Sequence, residues 1–349
     1  MTIKLKIVAL ILFNLFSSNL TAQDNKEMDL YISIIEEVKN KYAPDKRTAL
    51  FEIKTVKDPK TLYLSGETNL IEAKEELISL LKDYDVVDEI KILPGKEVGE
   101  KIFGIVNLSV ANFRTKPDHY KEMATQSLLG TPVKVLKKDG GWYLVQTPDD
   151  YISWVDGDGI FRVDYDSLIE WNKSKKIIYT KDFGFSYSSP DDKSERVSDL
   201  VIGDLLKLSG EEDDYYKVIY PDGKTAYIKN DEGELFGEWL SERNPTTENI
   251  LKTAKTFMGI PYLWGGTSVK GMDCSGFTKT VFYLNGIILP RDASQQVSVG
   301  EKINTEDRLE NLLPGDLLFF GKKESETSKE RITHVAIYIG DGDYIHASG

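Results

Sequence analysis

One cysteine and three histidines carry most of the chemistry open to this chain. Cys274 stands where a glycine-rich loop (Gly265, Gly266, Gly271) runs into Phe277, Val281 and Leu284. Their spacing reads as one face of a helix closed by Asn285-Gly286. Unpaired backbone N–H groups and the macrodipole favour negative charge at a helix start, so the position predicts a stabilised thiolate with N–H donors for an oxyanion beside it. Such a nucleophile needs a base. His119, in the polar loop Lys116-Pro-Asp-His-Tyr, reads as a solvated surface residue. His334 opens the strand Val335-Ala-Ile-Tyr-Ile, and His346 lies in the next strand, with Gly340-Asp341-Gly342 between them.

Register decides whether these two histidines meet. A three-residue loop of Gly340, Asp341 and Gly342 pairs Ile339 with Asp343 and so Ala336 with His346, which puts both imidazoles on one face as diagonal neighbours. A two-residue Asp341-Gly342 turn puts them on opposite faces, because a one-residue slip inverts a strand. In the first register Cys274 is a nucleophile, His334 its proton shuttle and His346 the group that fixes the tautomer of His334. In the second the histidines are structural and Cys274 is a small buried hydrophobe.

The elements that position these residues occupy only part of the chain. Its 349 residues predict two or three domains at about 150 residues each. With 57 acidic against 44 basic side chains the net charge is −13, which is the wrong sign for a nucleic-acid partner. A lone cysteine excludes an intramolecular disulfide and a four-cysteine zinc site. Lys4 and Lys6 before an apolar run from Ile7 to Phe16, then Leu20-Thr21-Ala22, predict an export signal over residues 1–22. The run is broken by Asn14, Ser17 and Asn19 and is short of the roughly 20 apolar residues a spanning helix needs. No cysteine adjoins the cleavage point. The expectation is a protein that is periplasmic or secreted, soluble, monomeric and without stable membrane insertion.

Residues 25–98 read as a small α/β unit. An internal repeat follows: Gly130 corresponds to Gly203 at an offset of 73, and the same offset pairs Pro117 with Pro190, Trp142 with Tyr215 and Trp154 with Tyr227. Each copy consists of short strands punctuated by Gly, Pro and Asp, the pattern of a small β-barrel. The two copies, at 102–162 and 163–238, resemble bacterial SH3 domains. Asn244-Pro245 marks a linker, and 245–349 reads as helices followed by strands, an α+β order.

Five motifs in that last segment occur in order: Pro261-Tyr262-Leu-Trp264-Gly-Gly, Asp273-Cys274-Ser275-Gly276-Phe277, Leu289-Pro290-Arg291-Asp292-Ala-Ser294-Gln295, Pro314-Gly315-Asp316-Leu317 and His334-Val-Ala-Ile-Tyr. Together they resemble the NlpC-type cysteine peptidases of bacterial cell-wall metabolism, and with the paired SH3-like copies the chain is similar to dipeptidyl-peptidase VI enzymes. The resemblance implies a papain-like core and a Cys274, His334, His346 triad without metal or other cofactor. It also implies hydrolysis of the γ-D-glutamyl to L-diamino acid bond in peptidoglycan-derived peptides that carry a free N-terminal L-alanine.

By motif position the resemblance implies that Tyr262, Trp264, Ser275 and Ser294 line the pocket, and Asp273 is expected to hold the cationic amine while rejecting stems blocked by sugar, a role compatible with capping the helix. In such relatives the first SH3-like copy closes one end of the groove, which by position points to Tyr151 and Glu122, with barrel core as the other reading of Tyr151 and Trp154; Arg291 and Asp316 read as structural. Relatives continue past Ile345-His346-Ala-Ser-Gly, so the sequence is expected to lack a last strand. Two other readings remain: a non-catalytic cell-wall binding protein, and a papain-like amidase or acyltransferase.

Overall fold

A computed structural model describes residues 22–58, 60–305, 309–325 and 328–349. The expected export signal lies outside the described residues apart from Ala22. The chain forms two compact units, divided between Leu93 and Pro94.

The N-terminal unit contains helix α1 (Ala22–Tyr42), strands β1 (Phe51–Lys57) and β2 (Leu62–Thr68), helix α2 (Ile71–Leu80) and strand β3 (Val86–Ile92). The β1–β2 pair is antiparallel, and β3 returns parallel to β2 through α2. Tyr31, Ile35 and Val38, at helical spacing, pack with Leu64, Leu77, Leu81 and Ile90 to form its core. The boundary expected at residue 98 moves to 93. Gly95 N donates to Leu136 O at 2.9 Å and Val98 packs in the core of the following sheet, so residues 94–98 belong to the second unit.

The second unit opens with two seven-stranded sheets. The first contains β4 (Phe103–Val106), β5 (Val110–Arg114), β6 (Met123–Leu128), β7 (Pro132–Asp139), β8 (Trp142–Gln146), β9 (Ile152–Asp156) and β10 (Ile160–Val163). Helix α3 (Tyr165–Lys173) leads to the second, made of β11 (Lys176–Tyr179), β12 (Phe183–Tyr187), β13 (Arg196–Val201), β14 (Leu205–Glu212), β15 (Tyr215–Ile219), β16 (Thr225–Lys229) and β17 (Gly233–Leu235). The strand orders, β10-β4-β7-β8-β9-β5-β6 and β17-β11-β14-β15-β16-β12-β13, are the same topology. Both repeat glycines are left-handed, with φ +83° at Gly130 and +94° at Gly203. Each also presses on the other copy: a Cβ at Gly130 would meet Leu205 O at 2.3 Å, and one at Gly203 would meet Leu128 Cδ1 at 2.8 Å. Glycine is therefore required for space as well as for φ.

Helix α3 is absent from the all-β expectation for 163–238. Its start is set by Asp164, whose Oδ1 accepts from Ser167 N at 2.9 Å, and its inner face buries Leu168 and Trp171.

After α4 (Phe236–Ser241) and the linker comes α5 (Thr247–Thr256), then a hairpin of β18 (Thr267–Ser268) and β19 (Gly271–Met272). Helix α6 (Cys274–Tyr283), helix α7 (Ala293–Gln296) and an antiparallel sheet of β20 (Leu317–Lys322), β21 (Arg331–Gly340) and β22 (Asp343–Ile345) complete the chain. Ile250, Ala254 and Phe257 of the α5 segment meet Phe277 and Val281 of α6 and Ile337 of β21 in one core. That packing holds α6 against the middle strand of the sheet. Among the described residues no helix is long and apolar enough to cross a membrane.

Candidate active site

Cys274 is the first residue of α6. Its N-cap is Asp273, whose Oδ1 accepts from Gly276 N at 2.7 Å and whose Oδ2 accepts from Gly265 N at 2.9 Å. One carboxylate thus closes the glycine loop and starts the helix. The Cys274 side chain packs with Val335 of β21 and Ala293 of α7, and only 7% of the residue is exposed. Burial, followed by the adjacent Asp273, pushes the thiol pKa up. The Val335 and Ser275 N–H groups and Arg291 pull the other way without prevailing. The expectation of a resting thiolate is therefore corrected: the helix-start donors are present, but desolvation and a neighbouring carboxylate outweigh them.

Val335 brings the thiol to the residue that follows His334. Across the sheet, His334 Nε2 lies 2.7 Å from His346 Nδ1, with the rings edge-to-face at 5.0 Å. The route to this pairing differs from both expected registers. The turn is the two-residue one, Asp341 (φ +54°) and Gly342 (φ +86°), with Gly340 opposite Asp343. Ile339 then bulges, made possible by φ +103° at Gly340, and beyond it Tyr338 faces Tyr344 and Ile337 faces Ile345. One residue further His346 falls opposite Ala336. The bulge inserts the residue that the short turn omits, and the imidazoles return to a common face. Burial, then His346, lowers the pKa of His334. A neutral thiol and a neutral imidazole follow at neutral pH.

Of the other candidates, Tyr262 bridges to Met272 beside α6, and burial, followed by the neighbouring Cys274 and Asp273, pushes its phenol pKa up. Trp264 is 61% exposed, and its Nε1 donates to Glu122 Oε1 of the first sheet at 2.7 Å. Ser294 is exposed on α7. Ser275 is buried, its hydroxyl accepting from Arg291 Nη1 at 2.9 Å, so it does not line an open pocket. Asp273 is likewise spoken for: Arg291 Nη2 and Nη1 donate to its two oxygens at 2.6 and 3.2 Å, and Ser275 Oγ adds a third side-chain donor at 3.2 Å. With Gly265 and Gly276 its acceptor capacity is filled, and the expected role as amine holder is corrected.

Asp292, which the sequence reading placed in a motif without giving it a role, is the more accessible carboxylate, its side chain 27% exposed against 9% for Asp273. It precedes Ala293, which packs on Cys274, and its Oδ2 accepts from the Tyr151 hydroxyl at 3.1 Å. The available signal was a capping box, Asp292 at the N-cap of α7 with Gln295 at its third position. His119 is outside the site, 3.2 Å from Asp156 on the first sheet.

Several bonds seat the first sheet against α6 and the loop before it. Gln126 Oε1 accepts from Thr267 N at 2.9 Å and Ser268 Oγ at 3.1 Å. Arg291 Nε donates to Thr125 Oγ1 at 3.0 Å. Lys279 Nζ donates to Asp149 Oδ2 at 2.7 Å at the wall of a cavity of about 120 Å³ that none of the candidate residues lines.

Residues 259–349 match the NlpC/P60 family, and residues 113–160 match the bacterial dipeptidyl-peptidase Sh3 domain. A γ-D-glutamyl-L-lysine dipeptidyl-peptidase of Bacillus cereus is 32% identical over 235 residues, covering 65% of this chain and 67% of the relative. Dipeptidyl-peptidase 6 of Lysinibacillus sphaericus is 28% identical, covering 70% of this chain and 87% of that one. A crystal structure of an NlpC/P60 family protein from Bacillus cereus superposes with a TM-score of 0.60 at 26% identity, over 70% of this chain and 90% of the other.

Proposed function

Since the chain belongs to the NlpC/P60 family of cysteine peptidases, we propose that its nucleophile is Cys274, its general base His334 and the orienter of that base His346. We further propose that it cleaves the γ-D-glutamyl to L-diamino acid bond of peptidoglycan stem peptides whose L-alanine amine is free. The observation that carries this reading is the 2.7 Å contact between His334 Nε2 and His346 Nδ1 on the strand whose Val335 packs against the Cys274 thiol.

The chemistry follows from the atoms. If His334 Nε2–H donates to His346 Nδ1, the Nδ1 of His334 is the free lone pair that takes the thiol proton as sulfur attacks the γ-carbonyl of D-glutamate. A neutral thiol–imidazole pair suits this order, with the proton moving during attack rather than beforehand. The backbone N–H groups at the start of α6, together with the Tyr262 hydroxyl, donate to the oxyanion. The imidazolium returns its proton to the departing amine of the diamino acid. Water, deprotonated by His334, then releases L-Ala-γ-D-Glu and restores the thiol.

Asp292, held by the Tyr151 hydroxyl, is the carboxylate we assign to the substrate ammonium, with Glu122 and Trp264 forming the adjoining wall. Stems still linked to sugar through that nitrogen carry no ammonium and do not satisfy it. The β11–β17 sheet, with the same strand order as β4–β10, is in this reading a second SH3-like module. The N-terminal segment directs export to where such peptides occur.

The test is digestion of stem peptides with and without N-terminal sugar, read by mass spectrometry. The proposal expects L-Ala-γ-D-Glu from the free peptide only. Release of whole stems from sugar would instead identify an amidase.

A further inference from the structure

Arg291 is the most deeply buried of the charged side chains around the thiol, with 1% of its surface exposed. It makes no bond to the histidines, yet it holds both neighbours of the nucleophile in sequence. Asp273 receives two of its N–H donors and Ser275 a third, while Nε is fixed by Thr125 Oγ1 on β6. A buried ion pair seldom gains stability over apolar groups of the same shape, so stability alone is a weak reason for this one.

The local geometry supplies another. The Asp273 carboxylate is needed to cap α6 and to close the loop at Gly265, and that need places a negative charge next to the thiol in sequence. An uncompensated anion there opposes formation of a second anion on sulfur. The charged and titratable groups around Cys274 are Asp273 at its N-cap, Arg291 and Asp292 on the segment entering α7, Tyr262 on the loop, His334 and His346 on the sheet and Tyr151 from the first module. Arg291 is the permanent cation among them.

We propose that Arg291 is a positioning residue that cancels the Asp273 charge so that Cys274 can ionise during attack, and that Thr125 ties this setting to the docked first module. This inference rests on the reading of Cys274 as the nucleophile. The thiol shift already described has the matching signs, Asp273 raising it and Arg291 lowering it.

Because the chain has a single cysteine, the rate of iodoacetamide alkylation against pH reports this thiol alone. Arg291→Met is expected to move the alkylation midpoint up by about one pH unit or more. Asp273→Asn, which keeps a capping side chain and leaves the guanidinium unopposed, moves it down. The double variant returns toward the parent, Arg291→Lys recovers part of the shift, and Thr125→Val moves it up by less. A packing role alone would move both single variants in one direction or neither, and that result overturns the proposal. If Arg291→Met does not fold, the downward shift of Asp273→Asn decides the matter, and its absence overturns the proposal. Peptide turnover by Cys274→Ala separates the two levels. An inactive Cys274→Ala with unmoved alkylation midpoints defeats this inference alone, whereas an active Cys274→Ala defeats the nucleophile reading and this inference with it.

Discussion

His334 Nε2 and His346 Nδ1 are 2.7 Å apart although they belong to segments joined by a turn that, taken alone, would direct them to opposite faces of the sheet. The roles proposed for the two rings are unequal. His334→Ala is expected to lower kcat by about 10²–10⁴-fold, the usual contribution of a general base. His346→Asn, whose Oδ1 still accepts from Nε2–H, should retain more activity than His346→Ala. Steady-state kinetics with a free stem peptide checks the order of the three variants.

The pH profile follows from the direction of the His334 shift. Burial and His346 depress its pKa, so the base stays neutral, and activity persists, to pH values below the ordinary imidazole range near 6.5. The same depression makes the unfolded chain bind the proton more readily, so this residue's contribution to stability is full above the unfolded pKa and falls as pH drops toward the folded one. A kcat/KM profile whose acid limb lies at or above about pH 6.5 contradicts this placement.

The bulge at Ile339 is predicted to be a functional feature. Gly340 holds φ +103°, which side-chain-bearing residues enter at a cost of about 1–3 kcal/mol. Gly340→Val should therefore favour a ladder without the bulge and turn His346 away from His334. The expected result is a loss of kcat comparable to His346→Ala, read together with a near-ultraviolet spectrum showing that the domain remains folded.

The first module is held by a partly buried ion pair as well as by Gln126. Burial lowers the pKa of Lys279 and the Asp149 carboxylate opposes that shift. Asp149→Ala leaves the Lys279 ammonium with Leu289 O alone of its two acceptors and should cost about 1–3 kcal/mol, while Asp149→Ala with Lys279→Met should recover most of it. Denaturant unfolding of the single and double variants measures both.

Asp204 is fully buried where the two modules meet, its oxygens accepting from Leu129 N at 3.1 Å and Val201 N at 2.8 Å. Burial raises its pKa well above the carboxylate norm. Its contribution is thus fully present below the unfolded pKa near 4 and is lost as pH rises through the folded value. Asp204→Asn offers one acceptor for two N–H donors and should cost about 1–3 kcal/mol at neutral pH, measured by thermal or denaturant unfolding.

The two-copy reading was available in the sequence because one offset of 73 aligns Gly130 with Gly203, Pro117 with Pro190, Trp142 with Tyr215 and Trp154 with Tyr227, and the two sheets have one strand order. Cys274 at a helix start was equally plain, since glycine loop, N-cap and apolar face are all local signals. What sequence did not reveal was set by contacts distant along the chain. Arg291 consumes the Asp273 carboxylate across 18 residues, and Tyr151 selects Asp292 across 141. The thiol shift depended on burial by Val335 and Ala293, which no spacing near Cys274 encodes. The register of His346 required a bulge, and a bulge depends on one positive φ that Gly340 permits but does not demand.

The most direct test of the account is acid-quenched intact-mass analysis during turnover of an L-Ala-γ-D-Glu-L-Lys peptide, comparing the parent with Cys274→Ala. The account predicts a transient L-Ala-γ-D-Glu acyl adduct on Cys274 of the parent, and neither adduct nor product with the variant. Product formation by Cys274→Ala at the parent rate would contradict it.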